Sequence, residues 1–375
     1  MSTQLKDRAW IEVRANALLA NAEAIVASVG AEALLIPMVK ADAYGLGLEQ
    51  AVRQLERLNP WGFGVATAQE GVDLRALGVS RPVVVVSPLS PTAVDRAVAA
   101  DLQIGVSSLE GLEAVVNASS RGSRKVGVHV EIDTGMGRAG FDWRSAAEWG
   151  PALKRVCETD VDWVGCYTHL HSADEGAAAC HDQQVRFSQA LDALQPPSGV
   201  LLHLLNSAGS MRLPEFGGGA VRPGIFLYGG SVGSGLPRPD AVVSVHARVV
   251  HIHDAMVNDT VGYGATHRAQ APSTWATLSI GYGDGLPRAL GNRGAALVSG
   301  RRAPIVGRIS MDVTVVDITG IGGVSVGDLA TLIGTDGDKC ITLDEVARLA
   351  DTISYEVLTG FTPRLPRIWT GLDGC

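Results

Sequence analysis

Eight short apolar runs, spaced along the first two thirds of the chain, constrain its fold more than any other feature. They are LLIPMVK (34–40), GFGVAT (62–67), PVVVVSP (82–88), LQIGVSS (102–108), VGVHVEIDT (126–134), DWVGCYTHL (162–170), LLHLLN (201–206) and AVRPGIFLY (220–228). Each is apolar along most of its length rather than alternating, the pattern of a strand buried on both faces. Helical patterns lie between them at AQEGVDLRALG (68–78), PTAVDRAVAAD (91–101), SLEGLEAVVNAS (108–119) and HDQQVRFSQALDALQ (181–195), with Pro91 and Ser108 placed as helix starts. This alternation predicts an α/β fold, a (β/α)8 TIM-type barrel over residues 11–240, with an open doubly wound sheet as the competing arrangement. After PRPD at 237–240 the texture changes to glycine-punctuated strands with few helices between them. That predicts a second, mostly β domain over 241–375, joined by residues 1–10.

At 375 residues, 46% hydrophobic and 19% charged, the chain has enough apolar mass for two domains. A net charge of −8 argues against nucleic acid or an acidic membrane surface as partner, since both reward a basic footprint. A small-molecule partner is expected instead. The five cysteines (Cys157, Cys166, Cys180, Cys340, Cys375) include no C-x-x-C spacing, which suits reduced thiols better than a disulfide framework or a zinc site. No carboxylate or cysteine spacing turns His171, His251 or His253 into metal ligands, so no metal is expected. No apolar run approaches the roughly 18 residues of a membrane span. Charged residues at Lys6, Asp7, Arg8, Glu12 and Arg14 leave no signal peptide visible, so a cytoplasmic chain is expected.

A barrel places its chemistry at the C-terminal ends of its strands, with phosphate often held after strands 7 and 8. Lys40 ends the first run, DTGMGRAG follows the fifth, THLH ends the sixth, NSAG follows the seventh, and RPG lies in the eighth. Every unusual polar cluster therefore falls on one rim. A lysine held partly desolvated beside a phosphate cradle loses its proton more readily and becomes a nucleophile. Two readings follow from the residues alone. One is a Schiff-base aldolase gripping a phosphorylated sugar; the other is an enzyme carrying pyridoxal phosphate on the lysine.

The strings VKADAYGLG, DTGMGRAG, YTHLHSADE, NSAGSMR, RPGIFLYG, VGYGATHRA, IGYGDGLPR, GRISMDVTVVD, ISYEVL and PRIW occur in this order across the chain. Together they resemble the bacterial alanine racemase family. The resemblance implies a pyridoxal 5'-phosphate enzyme that interconverts L- and D-alanine, works as a homodimer with shared active sites, and makes D-alanine for the cell wall or for alanine catabolism. It implies that Lys40 carries the cofactor and serves as the base on one face of the substrate. Tyr263, from the neighbouring subunit, would serve on the other face. Tyr44, Ser207, Tyr355 and the amides of Gly224 and Ile225 would hold the phosphate, with Asn206 in support. Arg222 would face the pyridine nitrogen, and His169 would pack against the ring and link to that arginine. Arg138 and the backbone of Met311 would bind the substrate carboxylate. Tyr282 and Asp312 match positions at the entrance and inner wall.

Physical reasons accompany these roles. Racemisation needs a proton acceptor on each face of Cα. A free tyrosine titrates near 10, so a tyrosine base needs a cationic neighbour, for which His169 and Arg222 are candidates. An arginine at the ring nitrogen cannot give up a proton and so leaves the ring less electron-withdrawing. In the family, Tyr355 and Tyr263 crowd the side-chain pocket, which implies alanine first and serine as a slower substrate. A barrel-type pyridoxal decarboxylase and a non-catalytic pyridoxal carrier are the rival readings, and the second lacks a use for the β domain. At Glu131 the sequence departs from the pattern. Many members of the family have there a lysine, carbamylated by carbon dioxide, whose negative charge orients the arginine seven positions on. An inward glutamate is costly unless paired, so Glu131 is expected to hold Arg138 directly.

Overall fold

In the computed structural model, which describes residues 6–121 and 124–372, the expected runs become short parallel strands. Cys375 and the first five residues of the 1–10 segment lie outside the described residues. Phe63–Val65, Val83–Val85, Gln103–Val106, Val126–Asp133, Val161–Tyr167 and Leu201–His203 pair in that order in one parallel sheet. Leu34–Leu35 pairs in parallel with Ala220–Val221. Parallel bridges from Met38 to Gly64 and from Asn206 to Arg222 join that pair to both edges of the sheet. The first and last runs are therefore neighbours, the ring is closed, and the open doubly wound sheet is excluded. The first strand is short because Pro37 has no N–H to donate to the ladder.

The helix punctuation acts as the residue types dictate. Pro91 occupies the first turn of Pro91–Ala99, and Ser108 caps Leu109–Ser119 by accepting the Gly111 amide at 3.1 Å. Thr67 and Glu70 form a capping box on Ala68–Ala76.

The long strand Val243–Ala255 organises the C-terminal sheet, pairing antiparallel with Leu329–Asp336 and Ser273–Leu278. The chain's first described strand, Ala9–Arg14, also belongs to this sheet. It lies between Val243–Ala255 and Arg367–Thr370, so residues 11–14, read above as barrel, are strand partners of the β domain. The barrel's helical layer starts at Ala15–Val29. Two helices, Leu343–Ala350 and Ser354–Gly360, interrupt the β texture. One continuous apolar core runs through both halves, from Ile11 and Val13 through Val128 and Val130 to Leu297 and Val316. No described helix is long and apolar enough to cross a membrane.

Candidate active site

The turn that follows the first barrel strand is left-handed. Ala41, Asp42, Ala43 and Tyr44 have φ between 52° and 57°, and Gly45 follows at 81°. For residues bearing a Cβ this conformation costs about 1–2 kcal/mol each, so the surroundings must hold it. Ala43 donates to Val39 O at 2.9 Å and Gly47 to Asp42 O at 3.0 Å. The Leu48 amide reaches Asp42 Oδ1 at 2.7 Å, and the Ala41 amide reaches Glu70 Oε1 at 2.7 Å. A side chain at Gly45 would strike Leu358 O, which seats the turn against the helix bearing Tyr355. Strain of this kind persists only where the neighbouring structure over-determines it. Here it turns Lys40 and Tyr44 into the barrel mouth.

Tyr44 is buried, stacked on Tyr228 with ring centroids 4.5 Å apart and tilted toward Tyr355 at 6.1 Å. Burial raises its pKa, and charge repulsion from the Tyr355 phenol group adds to the shift, so its hydroxyl stays a neutral donor. Tyr228 is anchored by its hydroxyl to Met38 O at 2.9 Å. Across the mouth, Asn206 caps the short helix Ser207–Arg212 through Gly209 at 2.9 Å. Ser207 Oγ accepts the Gly224 amide at 2.7 Å, and Gly224 has no room for a side chain beneath the Tyr44 hydroxyl. Tyr44, Ser207, Gly224, Ile225 and Tyr355 thus converge on one corner of one cavity, a concentration of hydroxyl and amide donors suited to a phosphate.

Arg222 is buried on the last barrel strand. Its Nη1 donates to His203 Nδ1 at 2.8 Å and to the His203 carbonyl, and its Nη2 donates to Thr168 O at 2.8 Å. Both terminal nitrogens are therefore engaged in the wall, and Nε has no acceptor among the described residues while Arg222 lines the cavity. The guanidinium also lies 5.1 Å from the centroid of the Tyr167 ring. Burial lowers its pKa to about 10, which still leaves it charged. His169 lines the same cavity. Burial and the positive charges of Arg222, Arg138 and Lys40 lower its pKa to about 3, so it is neutral. Of the two cationic neighbours expected for a tyrosine base, only Arg222 carries charge.

Lys40 shares this cavity. Its pKa is lowered, first by burial and then by the charges of Arg138 and Arg222, with Glu70 opposing. Glu131 faces the same space and is buried, but its partner differs from expectation. Its Oε2 accepts the Ser107 hydroxyl at 2.7 Å, and no ion pair joins it to Arg138 among the described residues. Arg138 extends from an exposed loop pinned by Asp133, whose carboxylate accepts the Gly135 and Gly137 amides. Burial raises the Glu131 pKa, partly offset by Ser107 and by the charges of Arg138 and Arg222.

One cavity of about 590 Å³ therefore gathers Lys40, Tyr44, Glu131, Arg138, His169, Asn206, Ser207, Arg222, Gly224, Ile225 and Tyr355. It does not include Tyr263, Tyr282, Met311 or Asp312. These four sit together on the β domain, around residues 308–312. Gly262 and Gly264, at φ 72° and 75°, fold the Tyr263 turn onto Arg308. Tyr282 N donates to Ser310 O at 3.0 Å, Gly283 N to Met311 O at 2.8 Å, and Asp312 pairs with Arg364 at 2.7 Å. Tyr263 is 69% exposed and Met311 52%. Glu70, Tyr167, His203 and Tyr228 also support the site, and of these only Glu70 carries a local sequence signal, the T-x-x-E capping signature at 67–70.

A closed barrel with a lysine of lowered pKa, a corner of hydroxyl and amide donors and a charged arginine in one cavity is what a barrel enzyme carrying pyridoxal phosphate needs, and a Schiff-base aldolase would share the lysine and the anion corner. The comparisons make this particular. The alanine racemase N-terminal domain family matches residues 13–232 and the alanine racemase C-terminal domain family matches residues 242–369. The alanine racemase of Geobacter sulfurreducens is 34% identical over 373 residues, covering 96% of each chain. A crystal structure of alanine racemase from Bacillus anthracis with bound L-Ala-P superposes with a TM-score of 0.90 at 30% identity, covering 98% of this chain and 96% of that one. Another, from Bartonella henselae with covalently bound pyridoxal phosphate, gives a TM-score of 0.89 at 28% identity, covering 97% and 99%. The chain belongs to the alanine racemase family of pyridoxal-phosphate-dependent isomerases.

Proposed function

We propose that this chain interconverts L-alanine and D-alanine with two bases on opposite faces of the substrate, Lys40 from one copy and Tyr263 from a second. The observation that carries the proposal is the separation of the site residues. Eleven line one cavity, while Tyr263 stands exposed on the β domain with Tyr282, Met311 and Asp312 and has no place in its own chain's cavity. A homodimer that sets this face over a partner's barrel mouth completes two equivalent sites.

The residues present fit pyridoxal 5'-phosphate. The Tyr44, Ser207 and Tyr355 hydroxyls and the amides near Gly224 would hold its phosphate, the Lys40 amine would hold its carbonyl carbon, and Arg222 would meet its ring nitrogen. When bound, the cofactor supplies an electron sink that acidifies the Cα–H of the attached amino acid. The protein moves the protons. Lys40 Nζ takes or returns the Cα proton on one face, and Tyr263 Oη does so on the other. Arg222 donates without releasing a proton and so restrains charge build-up on the ring. Arg138 and the Met311 amide hold the substrate carboxylate. Glu131 acts on Arg138 through its charge across the cavity rather than by contact. His169, neutral, packs beside the ring and leaves the positive field at the mouth to Arg222 and Arg138. Tyr355 and Tyr263 leave room for a methyl group, so serine is the slower substrate. The reaction takes place in the cytoplasm.

Racemisation in deuterium oxide tests this. Purified protein given L-alanine should yield D-alanine carrying solvent deuterium at Cα from the first turnovers. D-alanine that retains the substrate's own proton would mean a single base that swings between faces. Release of carbon dioxide would mean a decarboxylase.

A further inference from the structure

A buried polar chain crosses the barrel beneath Arg222. Arg222 Nη1 lies 2.8 Å from His203 Nδ1, His203 Nε2 lies 2.9 Å from His129 Nδ1, and His129 Nε2 lies 2.7 Å from Gln103 Oε1. Both histidines are fully buried. Space is reserved for His129, because a side chain at Gly165 would occupy the position of its Nδ1. At its far end Gln103 lines a separate cleft of about 770 Å³ with Arg75, Asp101 and Asp162, toward the N-terminal ends of the strands.

The donor and acceptor roles are fully determined. Arginine has only donors, so His203 Nδ1 must accept. A neutral His203 then carries its proton on Nε2 and donates to His129 Nδ1, and His129 carries its own on Nε2 and donates to Gln103 Oε1. Every N–H in the chain points away from the cavity. A proton added to either ring would set donor against donor, in keeping with the burial that lowers the pKa of both.

We propose that Gln103 and His129 are positioning residues that lock His203 as an acceptor and so hold Arg222 with its terminal nitrogens in the wall and Nε toward the cofactor ring. The lock also closes the route by which a proton could reach the ring nitrogen from below. The carbonyl oxygen of Gln103 acts as its terminal stop. This rests on the reading of Arg222 as the partner of the ring nitrogen.

Nitrogen NMR of ¹⁵N-histidine holoenzyme tests the lock itself. His129 and His203 should both be neutral Nε2–H tautomers that do not titrate on acidification to the limit of the fold. An Nδ1–H tautomer, or titration in the usual histidine range, overturns it. Gln103→Glu then tests the consequence. A carboxylate there favours a protonated His129, which donates to His203 Nε2 and turns His203 Nδ1–H against Arg222. The variant should show a protonated His129, a pH-dependent visible band for the bound cofactor, and a kcat lowered roughly tenfold with KM for alanine within about twofold. Gln103→Met, uncharged and of similar size, removes the acceptor without adding a carboxylate, so His129 should stay neutral and any loss of kcat should come without a pH-dependent band. A Gln103→Glu holoenzyme with a protonated His129 and a wild-type band and kcat would overturn the role of the lock, and would locate the failure in the placement of Arg222 at the ring. A Gln103→Glu enzyme whose His129 stays neutral overturns the terminal stop.

Discussion

Glu70 receives the Ala41 amide at 2.7 Å on one carboxylate oxygen and the Ala66 and Thr67 amides at 2.8 and 3.0 Å on the other. One side chain thereby ties the start of the helix Ala68–Ala76 to the left-handed turn that presents Lys40. All three partners are donors, so the group must be an acceptor at both oxygens. Glu70→Gln keeps the shape but turns an NH2 group toward at least one amide. It should destabilise the protein by about 1–3 kcal/mol and weaken cofactor binding, measured by thermal melting and by titration of the apoenzyme. Unchanged melting and affinity would mean that the turn holds itself.

Lys40 reacts with an aldehyde only as the neutral amine. Its lowered pKa means that attachment of pyridoxal phosphate to the apoenzyme accelerates with rising pH through a midpoint below that of an ordinary lysine. Arg138→Met removes a charge that lowers this pKa, so the rising limb should move to higher pH. Glu70→Gln removes the charge that raises it, so the limb should move to lower pH. Stopped-flow absorbance across pH measures both. Shifts of the opposite sign would place the controlling charges elsewhere. Lys40→Ala should lose racemase activity and the visible band of the bound cofactor together.

The shared site predicts complementation. Lys40→Ala and Tyr263→Phe should each be inactive as pure proteins. After subunit exchange, heterodimers hold one site with both wild-type residues, and roughly a quarter of wild-type activity should return at equal mixing, by statistical pairing of a two-fold dimer. No recovery despite demonstrated exchange would place both bases in one chain.

Glu131 sets function against stability. Its folded pKa lies above its unfolded value, so the ionised carboxylate is a net cost in the fold at neutral pH, and that cost is relieved as pH falls through the raised pKa. Glu131→Gln keeps an acceptor for Ser107 and removes the charge. It should melt at or above the wild-type temperature at neutral pH, with the difference shrinking in acid, while KM for alanine rises because Arg138 loses an orienting field. Activity should not respond to bicarbonate, since no carbamate has to form. A lower melting temperature with an unchanged KM would make Glu131 a purely structural partner of Ser107.

The eight strand runs, the helix starts at Pro91 and Ser108 and the change of texture after residue 240 were legible because burial and capping leave local, periodic marks in a chain. The site residues on the barrel mouth were legible for a related reason, since each follows a strand and strand ends share one rim. Other features carry no local mark. Val13 falls in the stretch read as barrel, and its pairing with Val243 places it in the sheet of the β domain. Glu131 has the charge expected of a partner for Arg138, but the contact it makes is with the Ser107 hydroxyl, brought beside it by the neighbouring strand. The left-handed run at Ala41–Tyr44 runs against the preference of every residue in it, and it stands because Glu70, 29 positions away, accepts an amide there. Sequence by itself determined the elements, their order and the rim on which polar residues gather. Tertiary structure decided partners, protonation and tautomers, because these depend on distances between residues far apart in the chain and on how completely water is removed from between them.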